Sequence, residues 1–189
     1  STQKALISFP NAVQERLSGS IATQTSSVTV ANTTTETTLV GTLVGTATLP
    51  ANFFVAGKTV RVTASGVYGT DSLALTTITL RVRLGGIAGT IVLTTGTNNP
   101  PAGSLVNQGW ETTGVITCRT TGTTGTVFSQ GATRLALSAT DAQIVDMENS
   151  ATSTIDTTVS QLLVLSIQYG TADLDDTITC TNLILEVLN

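Results

Sequence analysis

From residue 27 onward, apolar and polar side chains alternate in short runs separated by Gly, Asn and Pro, the period-2 pattern of β-strands with one wet face. Strands are predicted near 27–32, 37–48, 58–68, 74–84, 87–95, 109–120, 124–129, 132–139, 158–169 and 177–188. Val60, Val62 and Ala64 share one side of their strand, opposite Thr59, Arg61, Thr63 and Ser65. Ile78, Leu80, Val82 and Leu84 likewise oppose Thr77, Thr79, Arg81 and Arg83. In QLLVLSIQY and LILEVL the apolar residues fall on both parities: Leu163, Leu165 and Ile167 against Leu162 and Val164, then Leu183 and Leu185 against Ile184 and Leu188. A strand apolar on both faces needs a second cover, and the expected cover is another subunit. Leu162, Val164, Ile184, Leu185 and Leu188 are therefore the candidate subunit interface. The parity change between Ile178/Cys180 and Leu183/Leu185 predicts a β-bulge around Thr181-Asn182.

The punctuation supports a single all-β domain, an antiparallel sandwich or barrel, over residues 27–189, preceded by an N-terminal arm over 1–26. In the arm a short helix is predicted at NAVQERLS, with Val13 and Leu17 four residues apart. Leu6, Ile7, Phe9, Val13 and Leu17 give the arm more apolar surface than a solvated tail should carry, so they are the candidate contacts to a neighbouring subunit or another partner. LGG at 84–86 suits a tight strand connection. The paired prolines in TGTNNPPAGS make 95–104 a surface excursion. Residues 140–157 lack sustained periodicity and read as a long loop, a solvated connector first and a contact loop as the alternative.

Composition narrows the chemistry. About a fifth of the chain is threonine, a β-branched residue that suits a pleated surface and keeps it wet without charge. Charged residues make up 11% of the chain, the net charge is −4, and there is no histidine. The scattered Lys and Arg form no basic face for nucleic acid or anionic lipid. No apolar run is long enough to span a bilayer as a helix, and the absence of a signal-peptide pattern leads to the expectation of synthesis in a cytoplasm. Cys118 and Cys180 sit in strand-like runs and read as reduced core thiols.

Without histidine the common nucleophilic triads are excluded, and no GxSxG, phosphate-loop or HExxH motif is present. Asp141, Asp146, Glu148 and Asp156 are the carboxylates to weigh for glycoside hydrolysis, yet nothing in their surroundings would bury one and raise its pKa. Asp173, Asp175 and Asp176 are the dense acidic cluster to weigh for Ca²⁺, but the glycine-centred loop is missing and a polar hairpin connection is the preferred reading. Trp110, Tyr68 and Tyr169 read as the rim of the core. Arg81 and Arg83, on one strand face, suit either a partner's carboxylate or edge protection. No enzyme activity, cofactor or metal is expected.

Several stretches resemble virion proteins of tailed bacteriophages. They are VTVANTTTETTLVGT, ATLPANFFVAGKTVRVTASGVYGT, LRVRLGG, GWETTGVITCRTTGTTGTVFSQG and QYGTADLDDTITCTNLILEVLN, which together run through residues 27–189. The resemblance implies a jelly-roll module, often trimeric, used as capsid decoration or as a fibre tip, located in the virion and partnered by itself and the major capsid protein. It transfers no role to any particular residue. Because a short arm rather than a long shaft precedes the β-module, the expectation is a decoration (cement) protein. The alternative is a host-receptor or carbohydrate-binding module with 95–104 and 140–157 as binding loops.

Overall fold

The computed structural model describes residues 19–70, 76–100, 104–148 and 151–189. Their strands, in chain order, are β1 (Gly19–Gln24), β2 (Val28–Ala31), β3 (Thr37–Thr38), β4 (Leu43–Gly45), β5 (Thr48–Leu49), β6 (Thr59–Thr70), β7 (Ile78–Leu84), β8 (Thr90–Thr94), β9 (Leu105–Thr120), β10 (Gly125–Ala136), β11 (Ala142–Glu148), β12 (Ser153–Ile155), β13 (Gln161–Tyr169) and β14 (Thr177–Val187). A nine-stranded sheet runs β11-β10-β9-β6-β14-β1-β4, with β12 also on β10 and β2 also on β14. A five-stranded sheet runs β3-β13-β7-β8, with β5 also on β13.

This order is that of a jelly roll. The core of the larger sheet is β9-β6-β14-β1, and it faces β8-β7-β13-β3. The chain passes back and forth between the two layers, staying within one at β1–β2, at β7–β8 and at the β9–β12 extension. The alternation explains the packing, because Val60, Val62, Leu183 and Leu185 of one sheet and Leu80, Val82, Leu163 and Leu165 of the other join one buried cluster. The bulge expected near Thr181 is present: the β14–β6 register slips between Cys180 and Asn182, which keeps both Cys180 and Leu183 inward. At the β7–β8 turn, Gly85 and Gly86 have φ of 95° and 84°, the left-handed region that glycine enters freely.

Several expectations need correction. Residues 19–24, assigned to the arm, form β1 and pair with both β14 and β4, so the sandwich begins at Gly19 rather than at residue 27. The predicted helix at NAVQERLS lies outside the described residues. The run 37–48 is divided between layers: Leu39 N–H donates to Leu165 O and Leu163 N–H to Ala47 O in the smaller sheet, while Leu43–Gly45 pairs with β1 in the larger. The runs 124–129 and 132–139 form one strand, β10, and the expected loop 140–157 contains β11 and β12. The connection through Asp173 crosses from the smaller sheet to the larger and is not a hairpin.

Candidate functional site

The two ends of the sandwich differ. At one, Gly19 pairs with Val187, Asn52 N–H donates to Thr157 O, Gly122 N–H donates to Thr157 Oγ1, and Asn189 accepts from Thr59 N–H. The described chain starts here at Gly19, beside the final strand. At the other end Gly170 N–H donates to Thr77 O, Asn98 bridges to Ile78, and Leu137 N–H donates to Asp141 O. At Gly69, a Cβ would stand 2.9 Å from Leu105 O and 3.4 Å from Asp175 O, so the segments carrying Val106 and Leu174 meet at this loop end. Leu174 is 79% exposed and Val106 67%.

The candidate interface residues do not converge on one surface. Leu162, 43% exposed, and Val164, 6% exposed, lie on the outer face of the smaller sheet, whereas half-buried Ile184 lies on the outer face of the larger. Leu188 follows the end of β14. Leu185 is fully buried in the protomer's own core and is unavailable to any partner. Both strands are interior to their sheets, with β13 flanked by β7 and β3 and β14 flanked by β6 and β1, so neither offers a free edge. The arm candidates Leu6, Ile7, Phe9, Val13 and Leu17 lie outside the described residues.

The acidic groups are dispersed. Asp141 lies in the turn at the loop end, Asp146 lies on β11, and Asp156 caps Thr158 N–H near the opposite end. Asp173 Oδ1 accepts from Asp175 N–H, Asp175 is exposed and Asp176 is buried. Among the described residues no three His, Cys, Asp or Glu side chains are grouped to hold a metal ion. Trp110 stands within β9 rather than at a strand start and is buried, its indole N–H donating to Thr179 O at 3.0 Å. The Tyr68 hydroxyl donates to Ala136 O at 2.7 Å. Neither ring forms a shelf for a sugar. Cys118 and Cys180 are buried free thiols, and burial pushes Cys180 up to about 11, which leaves little thiolate at neutral pH.

The arginine pair is engaged within the chain. Arg83 holds Glu36 bidentately, Nε to Oε1 and Nη2 to Oε2, both at 2.7 Å, while Arg81 Nη1 donates to Glu36 Oε2 at 3.1 Å and to Gln168 Oε1 at 2.9 Å. The Ser166 hydroxyl also donates to Glu36, and Gln168 Nε2 donates to Thr34 O. This network pins the segment before β3 across β13 and β7. Glu36 went unnoticed in the sequence because it is an isolated acid in a threonine run; the signal was two same-face arginines lacking a nearby counter-charge. The Arg83 hydrogen bonds hold the Glu36 carboxyl below its ordinary value against the opposing effect of burial, with Ser166 and the two guanidinium charges assisting. A depressed carboxyl stabilises the fold fully above its unfolded value, near pH 4.5, and the contribution is lost as pH falls through the lower folded value. In urea titrations from pH 7 to pH 3, Glu36→Gln is expected to be less stable than the parent at pH 7, with the gap closing below pH 4.5. A constant gap would contradict this assignment.

No protein-family model, curated protein or solved structure matches the chain.

Proposed function

We propose that this chain is a non-catalytic structural protein of a bacteriophage virion, a decoration (cement) protein that binds an assembled head as an oligomer and stabilises it. The observation that carries this reading is the polarity of the sandwich: the first described residue, Gly19, lies at one end beside the C-terminal residues, and the loops with exposed Leu174 and Val106 lie at the other. That layout suits a module held at its base and facing outward at its tip. Leu6, Ile7, Phe9, Val13 and Leu17 supply the proposed contacts to a neighbouring subunit or the major capsid protein. A protein that binds the assembled shell and not its free subunits stabilises assembly by RT ln(1+[L]/Kd), about 4 kcal/mol at a thousandfold excess over Kd. Several arms on one oligomer multiply that affinity. The mechanism calls for no cofactor, nucleic acid or membrane.

The exposed Leu174 and Val106 favour one other reading, a host-receptor or carbohydrate-binding module of a fibre or spike, with the loop end as its binding face. Co-sedimentation with undecorated phage heads separates the two. The decoration reading expects saturable binding by the full chain, heads that withstand a higher temperature, and loss of binding on deletion of residues 1–18. Binding to host cells through the loop end, with none to heads, would replace it by the receptor reading.

A further inference from the structure

β11 stands at one edge of the larger sheet, with β10 as its strand partner among the described residues. In an antiparallel ladder the paired residues alternate between hydrogen-bonded and non-hydrogen-bonded positions. The bond from Leu137 N–H to Asp141 O at 2.8 Å sets the phase, so Gln143, Val145 and Met147 bond to β10, while Ala142, Ile144 and Asp146 direct their N–H and C=O groups away from it. Among the described residues no strand pairs with that side. The other sheet edges are shorter or covered, β2 having four residues and β12 three. β4 is three residues long and ends at Gly45, where φ is 86°; β3 and β5 have two residues each. β8 is covered by hydrogen bonds from Ser153 Oγ to Ile91 O and from Thr90 Oγ1 to Thr154 O. β11 has seven residues, no Lys or Pro, and Ile144 at 70% exposure on the outer face.

We propose that residues 4–9 of one copy add as an antiparallel strand to the β11 edge of a second copy, with Lys4 opposite Asp146, Leu6 opposite Ile144 and Ser8 opposite Ala142. The segment Lys4-Ala5-Leu6-Ile7-Ser8-Phe9 is the right length and stops at Pro10, which ends a ladder by lacking a donor. In this register the one Lys meets exposed Asp146 and a Leu meets the exposed Ile, while Ala5 falls opposite Val145 on the inward side. Measured along a flat sheet, reach favours pairing between copies over pairing within one chain. Thr23, Ile184, Thr63, Thr113, Ala132 and Asp146 form one cross-strand row, so the added strand lies six strand spacings from β1, about 29 Å at ~4.8 Å each. Along the strands Phe9 and Gly19 are offset by about eight residues, roughly 27 Å, which makes the direct distance about 40 Å. The ten steps between them span at most about 36 Å fully extended. Reciprocal exchange closes a dimer and cyclic exchange a trimer.

The pairing goes beyond the decoration reading and is tested on purified full-length chains with no particle present, so each idea fails separately. Chains carrying Leu6→Cys are mixed with chains carrying Ile144→Cys under mild oxidation. Hydrogen-bonded partners stand about 5.5 Å apart at Cα, within disulfide range, and the native cysteines are buried. The mixture is expected to give a covalent, reducible dimer that neither variant gives alone. In sedimentation equilibrium, deletion of residues 1–9 is expected to abolish self-association. Asp146→Lys should weaken it about threefold, with recovery on adding Lys4→Asp. Cross-linking by the Ile144→Cys chain alone would overturn the proposal in favour of β11 pairing with its own copy. Unchanged association after the deletion, or a monomeric full-length chain, would overturn it outright.

Discussion

Leu185→Asp is expected to unfold the protomer and not merely to separate subunits. Leu185 is fully buried in the cluster between the sheets, at the Val62 position of the neighbouring strand. The substitution removes about 2 kcal/mol of side-chain burial and places a carboxylate among apolar side chains of the core, a further cost of several kcal/mol. Against a typical total stability of about 5–15 kcal/mol, that leaves little or no folded protein. Circular dichroism during a thermal melt reads the effect directly. Leu162→Asp serves as the comparison: that side chain is on the outer face and partly exposed, so its melt should stay within a few degrees of the parent. A Leu185→Asp protein that melts like the parent would refute the packing described above.

The second large effect is expected at Gly66, opposite the bulge in β14. A Cβ there would collide with the Thr179 carbonyl oxygen and stand 2.9 Å from its carbon. The obstacle is backbone locked between β6 and β2, so it has no rotamer with which to move aside. Gly66→Val should cost about 3 kcal/mol, the upper part of the usual range for overpacking, seen as a lower urea midpoint. Gly109→Ala is the control, because nothing lies within 4 Å of its new Cβ, and its midpoint should be close to that of the parent. Equal midpoints for Gly66→Val and the parent would mean that the bulge slides to make room.

Strand alternation was legible in the sequence wherever one face meets the core and the other meets water, as at Val60–Ala64 and Ile78–Leu84. The bulge was legible because a one-residue insertion inverts the parity of everything after it. β11 was missed because an edge strand buries little: Met147 is buried there, while Ile144 and Asp146 face outward, leaving a weak pattern. Division of residues 37–49 between two layers was equally hidden, since alternation states which side is apolar and not which sheet receives it. The two-faced parity of β13 and β14 was read as a sign of subunit contact. Val164 instead has Arg83 as its cross-strand neighbour, beside the Glu36 network, and Leu185 is an ordinary core residue displaced in parity by the bulge. The Glu36 network joins residues far apart in sequence, and only the folded topology brings them together.

The strand order also sets a timetable for synthesis. β1 and β2 find their long-range partner in β14, and β3 and β5 find theirs in β13, so residues 19–49 have their principal pairing surfaces more than a hundred residues downstream. At about 5–20 residues per second, a ribosome adding that stretch leaves the first strands waiting for roughly 5–30 s. During this interval the extended N-terminal segments would be available to similar segments on neighbouring nascent chains. Their threonine-rich, weakly apolar makeup, with TTTETT at 33–38, suits that delay, because solvated hydroxyls reduce the gain from premature strand-to-strand association. The same residues that clothe the finished sheets thus keep the unfinished ones soluble.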